Sequence, residues 1–372
     1  MKRRSFLAGA GAGLAAASAP PRAFAQARAF AQARAVRRLT PVVVSLDDVT
    51  RTTVGLRPYR ASGFVLRAEA ADRQTIVHNY GHGGGGMSLS WGTALLARTL
   101  ALASAKRRAA VIGCGVIGLS TARVLQDAGF AVTIYARDLP PLTTSNLSGA
   151  QWSPTSVYVP GAVDAAFVAQ FLEASALAQQ RFQSLLGEDY GVRWIENYNC
   201  YENAGRSFLD GLDPGMRHLY PEIREYRPGE HPFGARYVMS FLTMFIEPNR
   251  YLRALLRDYQ LRGGTVVVRD FATLSQVRAL EEDLVMNCTG LGARALFNDT
   301  VLEPVRGQLS VLAPQPGIDY LTLTPTGYMF PRSDGIILGG TFEHGNWSTE
   351  PNAETEQRIV AAHQRFFNAM RR

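Results

Sequence analysis

The chain has 372 residues, long enough for two domains with separate cores. Its 47% hydrophobic content and 35 glycines are ordinary for a soluble α/β protein. The net charge of +8 implies no nucleic-acid partner, because residues 1–38 carry eight basic residues and no acid, and the remainder sums to zero. Cys114, Cys200 and Cys288 show no metal-ligand spacing and no disulfide framework.

At the N-terminus, Lys2-Arg3-Arg4-Ser5-Phe6-Leu7 precedes an Ala/Gly-rich run to Ala19 that is too short and too weakly apolar to span a bilayer. It resembles a twin-arginine export signal, which implies export by that machinery to the periplasm or medium. Such export carries folded proteins and suits one that loads a non-covalent cofactor first. A duplication follows, Arg22–Ala27 and Arg28–Ala33, and both copies hold a small-x-small cleavage motif.

Phe64–Glu69 and Thr75–Tyr80 read as strands. The second ends in Gly81-His82-Gly83-Gly84-Gly85-Gly86, and a helix rich in Ala and Leu follows from about Ser88 to Ser104. Five glycines between strand and helix describe backbone laid against a ligand, with the helix dipole aimed at negative charge. A flexible linker is the alternative, and the placement between two regular elements argues against it.

Ala109–Ile112 is a short apolar strand leading into Gly113-Cys114-Gly115-Val116-Ile117-Gly118, a Gly-x-Gly-x-x-Gly turn before a helix over Leu119–Gln126. Gly113 permits the tight turn, Gly115 the approach of a pyrophosphate, and Gly118 close helix–sheet packing. A second strand, Ala131–Ala136, ends at Arg137-Asp138. Asp138 suits a ribose hydroxyl and Arg137 suits a 2′-phosphate, so the motif leaves FAD, NAD and NADP open.

Thr143, Thr144 and Ser145, then Gly149, Ala150 and Gln151, fit a loop that passes a pyrophosphate, or a plain surface loop. Asp164–Leu186 reads as a long amphipathic helix. Gly187–Phe233 lacks clean periodicity. A helix over Tyr251–Leu261 is closed by Gly263-Gly264, and Thr265–Val268 is a strand. Leu284–Gly290 is an apolar strand ending in a small-residue turn, Arg306-Gly307-Gln308 opens another strand, and Tyr328–Pro331 and Ile336–Gly340 are strands near a pocket. The alternation of strand and helix predicts an α/β fold with a parallel sheet.

Several of these segments together resemble the D-amino-acid oxidase family of FAD enzymes. They are Gly55-Leu56-Arg57-Pro58, Ile76–Gly84, Val111–Thr121, Pro141–Thr144, Asn287–Gly290, Arg306-Gly307-Gln308, and Gly339-Gly340-Thr341-Phe342 with Gly345-Asn346-Trp347. They cover nearly all of residues 54–350. In the family the first two segments lie near the C-terminus, so this chain reads as circularly permuted, with new ends after the helix near residues 354–371. The resemblance implies a Rossmann-like FAD-binding domain at 58–165 and 236–300. An α+β substrate domain falls at 40–57, 166–235 and 301–372.

The resemblance also implies the site. FAD would be held by the Gly113–Gly118 turn, Arg137, Asp138, Thr143–Ser145, Gly149–Gln151, Phe271, Cys288 and Thr289. Gly83, Gly86, Met87 and Ser88 would serve the second turn. Arg57 would grip the carboxylate of a D-amino acid bidentately, Tyr328 would add a hydrogen bond, and the Gly84 carbonyl would accept from the amine. The implied reaction is hydride transfer from Cα to flavin, reoxidation of the flavin by dioxygen to give hydrogen peroxide, and hydrolysis of the imine by water to a 2-oxo acid and ammonia. A glycine- or sarcosine-type amine oxidase is one alternative, and an NADP-dependent dehydrogenase, prompted by Arg137, is another. The family often carries a second tyrosine four residues before Tyr328, where this chain has Thr324 on a short loop.

Overall fold

The computed structural model describes residues 38–203 and 207–371. The leader, with its paired arginines, duplication and cleavage motifs over residues 1–37, lies outside the described residues.

The first strands are β1 (Val49–Tyr59), β2 (Val65–Ala71) and β3 (Gln74–Tyr80), followed by helix α1 (Gly86–Leu102). The dinucleotide motif folds as β4 (Arg108–Ile112), α2 (Val116–Asp127) and β5 (Ala131–Ala136). Helix α3 (Ala165–Gln183) leads to β6 (Val192–Tyr201), β7 (Arg224–Tyr226) and β8 (Tyr237–Ile246). Then come α4 (Pro248–Leu261), β9 (Thr265–Val268), α5 (Leu274–Arg278), β10 (Leu284–Asn287) and α6 (Ala293–Leu296). Four strands, β11 (Glu303–Leu312), β12 (Tyr320–Thr324), β13 (Gly327–Arg332) and β14 (Gly335–Gly339), precede the two-residue β15 (Glu343–His344) and helix α7 (Ala353–Asn368).

Six strands form a sheet in the order β2-β3-β10-β4-β5-β9. All but the edge strand β2 run parallel. Its two faces are both buried, as a parallel sheet requires. Val77, Val111 and Met286 pack with α1, α2 and α4, while Ile76, Ala110 and Val285 pack with Phe271, Val277 and Leu280. The second sheet has nine strands in the order β1-β11-β14-β13-β12-β6-β8-β7, with β15 beside β11. One face carries Leu309, Val311, Ile337, Phe330 and Phe245. The other is covered by α7 and by Leu39, Val42 and Val44.

Strands β5 and β9 match the expected bounds, and Asp164 caps α3 by accepting from Phe167 N at 2.8 Å. Three helices begin earlier than expected: α1 at Gly86, α2 at Val116 and α4 at Pro248. Glycine propensity argues against the first two starts, but the turns that lead into these helices are fixed by tertiary contacts. Arg306-Gly307-Gln308 lies in the middle of β11 rather than opening it. Strands β6 and β8 are largely buried along their length, so no alternation of apolar and polar residues marks them in the sequence. All three cysteines are free and buried.

Candidate functional site

Strands β3 and β4 flank β10, all parallel, so Gly81–Gly86, Cys288-Thr289 and Gly113–Gly118 leave the sheet at one edge. Such a carboxyl edge is where ligands bind in open α/β sheets. Gly113 has φ +112°, and a Cβ there would stand 2.4 Å from the Cys288 carbonyl oxygen. A Cβ on Gly118 would meet the Gly113 carbonyl oxygen at 1.9 Å, which is why the helix can close onto the strand only with glycine there. Gly115 faces only the Ser145 hydroxyl, at 3.1 Å. The N-cap of α2, Gly115, has no side chain to cap it and the first turn holds no acid; Ser145 Oγ takes the Val116 amide, which leaves the positive end and the Ile117 amide to an anion.

The hydroxyls of the 143–145 loop divide. Ser145 Oγ accepts from Val116 N at 3.0 Å, and Thr144 is exposed, but buried Thr143 donates to Asn146 Oδ1 at 2.8 Å within the loop itself. Arg137 Nε donates to Asp138 Oδ2 at 2.9 Å beyond the end of β5. Phe271 is buried edge-on to Tyr135, with ring centroids 6.0 Å apart. Burial pushes the thiols of Cys114 and Cys288 up to about 12, so neither is a thiolate at neutral pH. Thr289 donates to Asn287 Oδ1 at 2.8 Å, which shapes the β10 turn.

The second glycine turn packs on the loop that follows Gly149–Gln151. Gly84 N donates to Ser156 O at 3.0 Å, and a Cβ on Gly83 would stand 2.3 Å from that oxygen. Gly84 is the only exposed residue between Gly81 and Gly86. Met87 and Ser88 are buried at the start of α1, which also lacks a side-chain cap and a first-turn acid. Ser88 Oγ donates to Gln151 O at 3.3 Å and accepts from Ser153 N at 2.9 Å. Ala150 holds φ +65°, and the buried Gln151 Nε2 has no partner. His82 stacks on Phe64 and pairs with Thr93 at 3.1 Å, and burial drops its pKa to about 3, so it is a neutral strut.

Arg57 and Tyr328 come from different strands but share one sheet face. Arg57 pairs with Val305, Gly55 with Gly307, Val311 with Ile337, and Gly339 with Tyr328, and alternate residues of a strand face one way. Both side chains lie over glycines. A Cβ on Gly307 would stand 2.3 Å from Arg57 Nη1, and one on Gly339 would stand 2.6 Å from the Tyr328 hydroxyl. Strands β11 and β14 are neighbours, which sets these two glycines about 8 Å apart. The guanidinium and the phenol therefore converge over a floor of Leu309 and Ile337. Gly149 presses on the same place, since its Cβ would stand 2.6 Å from Phe330, which stacks on Tyr328 at 4.6 Å. Arg57 Nη1 is buried without a partner, and Phe342 lies over the guanidinium at 4.4 Å. Thr324 closes a tight β12–β13 turn by donating to Gly327 O at 3.0 Å.

The sequence pointed to Arg57, Tyr328 and Gly149 but assigned Gly307, Gly339 and Phe342 no role. The two glycines stand in segments already singled out for other reasons. Only strand register shows that they are the hollows beneath Arg57 and Tyr328.

The sequence and the fold have known relatives. The family model of FAD dependent oxidoreductases matches residues 2–100 and 108–372, and the chain belongs to that family. Among its relatives, a D-amino-acid oxidase of Rubrobacter xylanophilus is 34% identical over 259 residues, 68% of this chain and 75% of that protein. A human D-aspartate oxidase is 29% identical over 266 residues, 68% of this chain and 74% of that protein. Solved structures share the fold. Iminodiacetate oxidase of Chelativorans sp. has a TM-score of 0.52 at 17% identity, over 70% of this chain and 79% of that one. Glycine oxidase of Bacillus cereus has 0.52 at 15%, over 70% and 78%.

The protein is thus an FAD-dependent oxidoreductase, and its residues fit the cofactor. The acid-free start of α2, beside Gly115 and the Ser145 hydroxyl, suits the pyrophosphate. The orphaned Gln151 amide and the uncapped start of α1 suit the polar edge of the flavin.

Proposed function

We propose that this enzyme oxidises D-amino acids to 2-oxo acids, ammonia and hydrogen peroxide. The convergence of Arg57 and Tyr328 over Gly307 and Gly339, beside Gly149, carries the proposal. A guanidinium with a free Nη1 binds a carboxylate through charge-assisted bonds, and its apolar surroundings strengthen them. Tyr328 donates a further hydrogen bond to the carboxylate, and the exposed Gly84 carbonyl accepts from the amine. These three attachments fix which hand of an α-amino acid turns its Cα–H toward the flavin. Leu309, Ile337 and Phe330 supply no base, and a free amine needs none. When bound, FAD supplies the electron chemistry, taking two electrons from the Cα–N unit and passing them to dioxygen. The six-stranded sheet then serves the cofactor and the nine-stranded sheet the substrate.

The test is anaerobic mixing of the FAD-loaded enzyme with a panel of D-amino acids, L-amino acids, glycine and sarcosine. Bleaching of the flavin by D-amino acids alone is the expected result. Bleaching by glycine or sarcosine alone would replace the assignment with that type of amine oxidase, and no bleaching would remove it.

Two further expectations belong to this reading. The paired Arg3-Arg4 directs export of the folded enzyme, so replacing both with lysine retains it in the cytoplasm. We also infer that the chain is a circular permutant, a reading supported by segment order: Gly55–Pro58 and Ile76–Gly84, which lie near the C-terminus in the resembled family, here precede the Gly113–Gly118 turn. A rearranged chain that starts near Arg108 and joins residue 371 to residue 39 through a linker should therefore fold and bind FAD.

A further inference from the structure

Arg57 is a long side chain on a strand whose other side has no strand partner. Left to itself its guanidinium would sample many rotamers, and a substrate would have to immobilise it on binding. Three observations show that it is already held. Below it lies Gly307, where even a Cβ would collide with Nη1 and Nη2, at 2.3 and 2.7 Å. Above it lies the Phe342 ring, 4.4 Å from the guanidinium carbon. Between them Nη1 is out of contact with solvent and has no partner.

Phe342 is itself 49% exposed, an unusual place for so large an apolar ring. It is nonetheless fixed on both sides. Thr341 Oγ accepts from Gln308 N at 2.6 Å, and Glu343 pairs with Arg306 Nη1 at 2.8 Å. Arg306 is buried, and its other donors reach Ser348 O at 3.0 Å, Glu350 O at 2.6 Å and Gln308 Oε1 at 3.1 Å. The segment carrying Phe342 is therefore pinned to β11, the strand that also carries Gly307.

From this we infer that Phe342 is a positioning residue: its ring clamps the Arg57 guanidinium against Gly307 and holds it ready for the substrate carboxylate. The inference rests on the reading of Arg57 as the carboxylate anchor. The attraction is that of a cation over an aromatic face, and planar stacking suits a guanidinium in particular. The clamp lowers the ordering cost of binding.

The experiment uses the FAD-loaded enzyme and propionate, a carboxylate without an amine, followed by its perturbation of the flavin spectrum. Phe342→Ala should weaken propionate and raise KM by about 3- to 30-fold with kcat little changed, the range of a cation–π contact. Phe342→Trp should restore both, and Phe342→Leu, which fills the space without a π face, should not. Equal rescue by leucine and tryptophan would reduce the ring to packing and overturn the clamp. Unchanged affinity in Phe342→Ala with affinity lost in Arg57→Ala would also overturn it while leaving the anchor intact. Unchanged affinity in both variants would overturn the anchor and the clamp with it. Bound FAD per chain, measured for every variant, identifies any that fails to fold, and Phe342→Leu then carries the comparison.

Discussion

Arg57 and His82 show how a basic side chain takes its role from its surroundings. Arg57 keeps an unpaired buried Nη1, an arrangement that costs stability unless a ligand completes it. Arg57→Ala should therefore lower kcat/KM by at least about a hundredfold, the loss of two charge-assisted hydrogen bonds. Arg57→Lys should not restore it, because an ammonium cannot grip a carboxylate with two parallel bonds. Steady-state kinetics on both variants checks this. His82, one residue beyond the end of β3 and its first glycine, is sealed under Phe64 and Thr93 and stays neutral to about pH 3, against an ordinary value of 6.5. Between those values the unfolded chain binds a proton that the folded chain refuses, so stability falls as the pH drops below 6.5. Its slope is about 1.4 kcal/mol per pH unit for this one group. Burial lowers the pKa of His78 and His363 as well, so they act in the same direction. Unfolding of wild type and His82→Gln, followed from pH 7 to pH 5, should show a shallower pH slope in the variant.

At the scale of elements, α1 links the core to the site. Its first turn lies against Gln151 and Ser153, and its middle crosses α3 at Gly92, where a Cβ would stand 1.8 Å from the Ala174 carbonyl oxygen. No side-chain rotation relieves a clash with backbone. Gly92→Ala should destabilise the fold by about 1–3 kcal/mol, the range for overpacking, and denaturant unfolding measures it. Because the helix must shift to make room, FAD should also be held less tightly. Helix α2 depends on glycine in the same way, and Gly118→Ala sets a Cβ 1.9 Å from Gly113 O. That variant should purify without flavin colour even when its far-UV circular dichroism is unchanged.

For the molecule as a whole, the proposed FAD site draws on the two glycine turns and the 143–151 loop together. A cofactor held by several elements at once binds the folded chain and not the unfolded one, so FAD should stabilise the fold by mass action. At a hundred times its Kd the gain is about 2.7 kcal/mol, seen as a rise in Tm of several degrees that grows with FAD concentration. Gly118→Ala should lose that dependence, and a thermal scan of both proteins at graded FAD reads it directly.

Much of this was legible in the sequence wherever a physical requirement falls on neighbouring residues. Gly-x-Gly-x-x-Gly between a strand and a helix, and the run Gly81–Gly86 before the next helix, are local patterns with local causes. They were enough to predict a dinucleotide site, and longer matched segments were enough to name FAD. The tertiary structure decided what depends on strand register. Arg57 and Tyr328 lie 271 positions apart, and only the pairing of β1 with β11, β11 with β14, and β14 with β13 turns both to one face over Gly307 and Gly339. Phe342 acquires its place over Arg57 by the same pairing and by the Arg306–Glu343 anchor. A side chain's type is written in the chain, but what lies across the sheet from it is set by hydrogen bonds between distant strands.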